Sequence, residues 1–188
     1  MAEHEAPIRE IDVQPGESHL VSQPAILRTV LGSCVGVTFF VPRLGIGALC
    51  HPMLPTCPVN RLPAITVSAG RRYVDFTIRD MARQLDSLGT VRAETQVKLF
   101  GGGDVLTVSN DSARPTVGKL NCEAAFKIIA EEGFNVSACR LGGISGVHIQ
   151  FSTATGEVLL RPLDPTEAQQ KSKSRRKVHH CGCPRSRR

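Results

Sequence analysis

The 188-residue chain, 41% hydrophobic, is long enough for one packed domain with a tail and too short for two full domains. No run of about 18 apolar residues is available to cross a bilayer, and the first 20 residues are polar and acidic rather than a basic stretch ahead of a hydrophobic one, so the chain reads as cytoplasmic. The net charge of +6 belongs to the tail: from Thr166 onward stand eight Lys or Arg against Glu167 alone, which leaves 15 of the 23 basic and 16 of the 17 acidic residues before it, a nearly neutral body without the basic footprint of a nucleic-acid-binding domain.

Residues 1–22, with Pro15, Gly16 and scattered charges, read as an arm with at most one short strand. The apolar run Ala25 to Val30 is β-compatible and breaks at Gly32-Ser33, a pair suited to a sharp turn. A second run, Val35 to Val41, follows at once. Pro42-Arg43-Leu44-Gly45 then turns into a third strand, Ile46 to His51, ended by Pro52 and Pro55. From about Arg71 to Leu88 the apolar residues Val74, Ile78, Met81, Ala82, Leu85 and Leu88 fall at helical spacing, with Gly89 where a C-cap glycine belongs. Gln96 to Phe100 is a strand that runs into Gly101-Gly102-Gly103-Asp104, and a second helix spans about Val117 to Glu132 ahead of Gly133. Val136 to Leu141, Val147 to Thr153 and Val158 to Arg161 read as strands, the last two joined at Ala154-Thr155-Gly156. This order, βββ-α-β-α-βββ, predicts an α/β (α+β) sandwich with mixed sheet or sheets, two main helices and a domain over residues 23–165. Residues 166–188 are rich in Lys, Arg, Gln and Ser, cannot bury enough apolar surface to offset ordering entropy, and are expected to be a disordered basic tail.

Seven cysteines, at 34, 50, 57, 122, 139, 181 and 183, form an odd set without the spacing of a disulfide scaffold. The default for each is a small buried hydrophobe. Cys34 differs by its setting. A thiol nucleophile needs an imidazole to take its proton and a backbone that presents the sulfur, and Leu31-Gly32-Ser33-Cys34 supplies such a turn. The amides around it can face a developing oxyanion. His51 lies one hairpin away, able to return to the same sheet edge. Spacing alone leaves open a buried structural Cys and an exposed His.

The strings Leu31-Gly32-Ser33-Cys34-Val35 and Gly45-Ile46-Gly47-Ala48-Leu49-Cys50-His51-Pro52-Met53-Leu54-Pro55 closely resemble the hallmark of the CheD family, in which LGSCV is followed by a GIGG-type hairpin and a His one residue ahead of Met-Leu-Pro. The resemblance continues in order at Gly70 to Asp75, Lys98 to Gly103, Gly118 to Asn121 and Leu141 through Gly156, covering about residues 20–163. It implies a chemoreceptor glutamine deamidase with a fold similar to the catalytic domain of the cytotoxic necrotizing factor toxins. On this chain the implied nucleophile is Cys34 and the implied general base His51. A Thr upstream of the Cys is implied to orient the His. Thr29, five residues before Cys34, takes that role, with Arg28 at the position six before and a strand Thr bonded to backbone as the plain alternative. Gly32, Ser33, Gly101 and Gly102 form the expected substrate and oxyanion region. The implied partners are the cytoplasmic domains of methyl-accepting chemoreceptors and, in some members, a CheC-type phosphatase, with no cofactor. A second reading of the same fold is a non-catalytic adaptor for those partners.

Two positions depart from the family pattern. Its Gly-x-Arg-Asn is Gly118-Lys119-Leu120-Asn121 here, and the Arg of its Gly-Gly-x-x-Gly-Arg is Val147. An apolar side chain cannot replace a bidentate guanidinium, so substrate choice is the property these positions touch. Gly101-Gly102-Gly103 lacks the Gly-Lys-Ser/Thr or dinucleotide fingerprint of a phosphate cradle and reads as a structural turn. Cys50 and His51 are neighbours that would face opposite ways in a strand, which argues against a zinc site with Cys57. His179, His180, Cys181 and Cys183 are competent metal ligands, but a tail that binds nothing specific is the reading favoured here.

Overall fold

The computed structural model describes residues 8–58, 60, 64–105 and 115–163. The elements run β1 (Arg9–Asp12), β2 (Ser18–Val21), β3 (Ala25–Leu31), β4 (Val35–Val41), β5 (Ile46–Cys50), α1 (Val67–Gly70), α2 (Val74–Ser87), β6 (Gln96–Gly101), α3 (Val117–Glu131), β7 (Val136–Leu141), β8 (Val147–Ser152) and β9 (Val158–Pro162). The strands form two sheets, one ordered β1-β3-β8-β9 and the other β2-β5-β4-β6-β7. Each sheet contains one parallel pair, β1 with β3 and β6 with β7, so both are mixed.

Two apolar clusters hold three layers together. One lies between the sheets and includes Leu27, Leu31, Phe40, Leu49, Phe100, Ile149 and Phe151. The other joins Val35, Val37, Phe39 and Val41 of β4 to Val74, Ile78, Met81 and Leu85 of α2 and to Ala125, Ile128 and Ile129 of α3. Covered on both faces, β4 is buried at every residue, which is why it reads as an unbroken apolar run rather than an alternating one. β3 has a single covered face, and its alternate residues Ala25, Leu27, Thr29 and Leu31 are the buried set. Thr29 is therefore a hydroxyl on an otherwise apolar inner face.

Residues 1–22 contribute two strands where one was expected. β1 lies parallel to β3 and β2 antiparallel to β5, so each sheet gains a strand at one edge. Four-residue strands are too short to display a convincing alternation, and the register comes from their neighbours. Cys139, expected to be buried, is exposed on β7, an edge strand. Among the described residues no helix is long and apolar enough to cross a membrane. The basic tail and its His and Cys residues lie outside the described residues.

Candidate active site

Cys34 ends the three-residue bend, Gly32-Ser33-Cys34, that carries the chain from β3 in one sheet to β4 in the other. The β4–β5 register, in which Val37 faces Cys50 and Phe40 faces Gly47, places His51 opposite Gly36 and Met53 opposite Cys34 when continued past the last pair. On the other side of β4, Val35 faces Gly101, which sets Gly102 opposite Cys34. A hairpin register therefore delivers the histidine to within two residues of the cysteine. Cys34 is half-buried, whereas His51 is only 1% exposed.

The bend is tied down by its carbonyls. The amide of Gly103 donates to Gly32 O and that of Gly102 to Cys34 O, each at 2.8 Å. The Asn121 side-chain amide donates to Ser33 O at 2.9 Å. Within a trans peptide the carbonyl and the next N–H point in opposite directions. With Gly32 O and Ser33 O drawn toward the glycine turn and α3, the amides of Ser33 and Cys34 are presented on the other side. Burial pushes the Cys34 thiol up from its ordinary value, offset in part by its own backbone N–H. The direction of the shift favours the thiol over a thiolate.

His51 is oriented from the opposite sheet. Thr29 Oγ1 donates to the carbonyl of Val13 at 2.7 Å and stands 2.7 Å from His51 Nδ1. A carbonyl can only accept, so the threonine's one proton is committed to Val13, and the contact with the ring requires Nδ1–H to donate to Oγ1. That fixes the neutral imidazole as the Nδ1–H tautomer, with the basic lone pair on Nε2. The main chain of His51 is held as well: its N–H donates to Glu17 O at 2.9 Å and its carbonyl accepts from Gly16 N at 2.8 Å. The arm between β1 and β2 thus braces both the ring and the backbone of His51. A groove of about 500 Å³ opens beside it, lined by residues 14–17, Met53, Ser68 and Arg72.

The glycine turn after β6 is required by contact as well as conformation. Gly101 and Gly102 have φ of 89° and 65°, and a Cβ on Gly101 would lie 2.4 Å from Cys34 O. One on Gly102 would lie 2.1 Å from Cys122 Sγ. The structure brings together Thr29, Cys34, His51, Gly32, Ser33, Gly101 and Gly102 at one end of the sandwich. Sequence reasoning met Asn121 only as the last residue of the Gly118-to-Asn121 match and gave it no role; it is fully buried and donates from Nδ2 to Met53 O at 3.0 Å as well as to Ser33 O. A polar residue on the inner stripe of α3, one turn from the glycine pair, was the available signal. Leu120 and Val147, where the resemblance implied arginines, are both half-buried: one precedes Asn121 and the other pairs with Leu31.

Comparisons with known proteins bear on the family of the chain. The family model described as CheD chemotactic sensory transduction matches residues 53–162. A protein of Geobacter sulfurreducens named probable chemoreceptor glutamine deamidase CheD 2 is 41% identical over 156 residues, which cover 83% of this chain and 91% of that one. A stretch of 156 in a chain of 188 includes Cys34 and His51 wherever it begins. A second relative, from Maridesulfovibrio salexigens and named probable chemoreceptor glutamine deamidase CheD, is 33% identical over 172 residues, 87% of this chain and 98% of its own. Among solved structures, the Bacillus licheniformis hypothetical protein YfiH aligns at a TM-score of 0.43 and 13% identity over 75% of this chain and 60% of that chain, too distant to carry an argument. On the strength of the family model and of relatives aligned over most of its length, this chain belongs to the CheD family.

Proposed function

We propose that this protein hydrolyses the side-chain amide of selected glutamines in methyl-accepting chemoreceptors to glutamate, releasing ammonia. The observation that carries the reading is the Thr29 contact with His51, which leaves Nε2 as the basic nitrogen of an imidazole set by strand register beside Cys34. In this scheme Nε2 takes the thiol proton as Sγ attacks the carboxamide carbon. The amides of Ser33 and Cys34 receive the negative charge that develops on the carboxamide oxygen. The imidazolium returns the proton to the nitrogen, the C–N bond breaks, and ammonia leaves a thioester on Cys34. His51 then deprotonates a water that attacks the thioester, and the proton goes back to sulfur as glutamate is released. No cofactor takes part.

In this reading Gly101 and Gly102 support the nucleophile turn from behind. The catalytic domain is residues 23–165, preceded by the arm of residues 1–22 and followed by the basic tail, 166–188. The mixed sandwich supports a fold like the catalytic domain of the cytotoxic necrotizing factor toxins. The receptor's cytoplasmic segments are the substrate, which places the protein in the cytoplasm, with a CheC-type phosphatase as a further partner. The test is peptide mass spectrometry of a receptor cytoplasmic fragment incubated with the wild type and with Cys34→Ala. A gain of about one dalton at particular glutamines with the wild type alone is the expected result, as amide becomes acid through acyl transfer to water. Receptor binding without any mass shift would overturn the deamidase and leave the adaptor.

A further inference from the structure

The nucleophile and the base sit on separate loops, and among the described residues one side chain bonds to both. Asn121 is fully buried in the first turns of α3, and its Nδ2 donates to Ser33 O at 2.9 Å and to Met53 O at 3.0 Å. Both partners are carbonyl oxygens, which can only accept, so the amide orientation is fixed with nitrogen toward them and both of its hydrogens are used. The two oxygens are each within 3.0 Å of one nitrogen and so lie no farther apart than the two bonds laid end to end. Ser33 immediately precedes Cys34, and Met53 follows His51 by two residues. Holding Ser33 O also fixes the Ser33–Cys34 peptide, whose N–H is one of the two amides available to an oxyanion.

The far side of each loop is already anchored elsewhere. Met53 N and Leu54 N donate to Arg72 O at 2.8 and 2.9 Å, and Gly102 and Gly103 hold the nucleophile turn. Those anchors attach each loop to its own support. Asn121 adds a direct side-chain tie between the two loops that the β4–β5 register sets side by side, at the base of an α3 that approaches closely because Gly118 packs on Gly102, where a Cβ would meet Gly102 O at 2.5 Å.

We infer that Asn121 is a positioning residue for the amidase reaction, fixing the distance between the nucleophile turn and the histidine loop and the direction of the Cys34 amide. The inference rests on the deamidase reading above. Asn121→Leu keeps nearly the same volume and removes both donors. On folded protein, its kcat for receptor deamidation falls about 100-fold with KM nearly unchanged, the scale of losing one oriented donor or an ångström of alignment. Alkylation of Cys34 by iodoacetamide at pH 7 slows at least about tenfold, toward the rate and pH profile of His51→Ala, because the base no longer reaches the thiol. The exposed Cys139 reacts unchanged and serves as the internal control.

A kcat and a Cys34 alkylation profile like those of the wild type in folded Asn121→Leu would overturn the inference, as would a change in KM alone. Should the variant not fold, the wild type supplies the test through the side-chain amide resonances of Asn121. Both hydrogens are expected to be protected from solvent exchange and to shift when Cys34 is carbamidomethylated, and unprotected or unmoved resonances would overturn the inference. Alkylation needs no receptor, so an inactive wild type with an intact Asn121 effect on Cys34 would count against the deamidase reading and not against this one.

Discussion

Replacing Thr29 with Val keeps the β-branched shape in β3 and removes a single hydroxyl, yet that oxygen serves two partners. Without it, the Nδ1–H of His51 and the carbonyl of Val13 both lose a bond in a buried setting. A buried group left unsatisfied costs about 1–3 kcal/mol, so Thr29→Val is expected to lower stability by roughly 2–6 kcal/mol. The kinetic effect is separate. The Nδ1–H bond strengthens when the ring becomes imidazolium, since a hydrogen bond to a charged group contributes about 1.5–3 kcal/mol. Only the increment over the neutral bond, about 1–1.5 kcal/mol, exists just while the proton is on the ring, so its loss lowers kcat by roughly 5- to 15-fold with little change in KM. Thr29→Ser retains the hydroxyl and should stay within a few-fold of the wild type. The assay is deamidation of a receptor fragment followed by mass spectrometry, with folding monitored by thermal melting. A folded Thr29→Val with wild-type kcat, or a Thr29→Ser as impaired as the Val variant, would refute the tautomer argument.

Other consequences are open to simple measurement. In His51→Ala, Cys34 loses its base while burial still holds the thiol above its ordinary range, so its alkylation at pH 7 should slow and its pH profile should rise only above that of an ordinary cysteine. Cys50, fully buried, has its thiol pushed up from 9.0 to about 12, first by burial, with Ser18, Arg71 and Asp80 as smaller influences. Below pH 9 both folded and unfolded states keep this thiol protonated. Above it the unfolded chain ionises first, so stability should fall as pH rises from about 9 toward 12, by up to about 4 kcal/mol from this one group. Urea titrations of the wild type and Cys50→Ala across that range should show the shallower fall in the variant, and equal slopes would reject it. Gly102→Ala forces a Cβ to within 2.1 Å of Cys122 Sγ at a φ of 65°, so it should cost more than about 2 kcal/mol and lower activity. A thermal melt like that of the wild type would contradict this.

Local chemistry was legible from residues alone where one element carries its own signal. β4 and β7 fall where the apolar runs place them, and Gly89 and Gly133 follow α2 and α3 as expected. The turn before Cys34 was visible in Gly32-Ser33, and Thr29 shows as the polar member of the inward set Ala25, Leu27, Thr29, Leu31. β1 and β2 were hard to read because each has four residues and takes its register from a partner strand. Asn121 stood in a family motif without a role for a related reason: nothing in its own helix tells that its amide meets carbonyls at positions 33 and 53.

The sequence by itself supplied the candidate reagents: a cysteine after a small-residue turn, a histidine one hairpin later, and a threonine on the inner face of the strand before them. What the tertiary structure decided is their relation. Thr29 belongs to the four-stranded sheet and His51 follows a strand of the five-stranded one, so their 2.7 Å contact exists only because the two sheets pack face to face. The proton on Thr29 is assigned by Val13, a residue of the arm, and the loops that carry Cys34 and His51 are joined by a helix residue 68 positions beyond Met53. Hydrogen bonds act over about 3 Å, and which groups come within that reach across such separations is set by the packed layers, not by any local pattern along the chain.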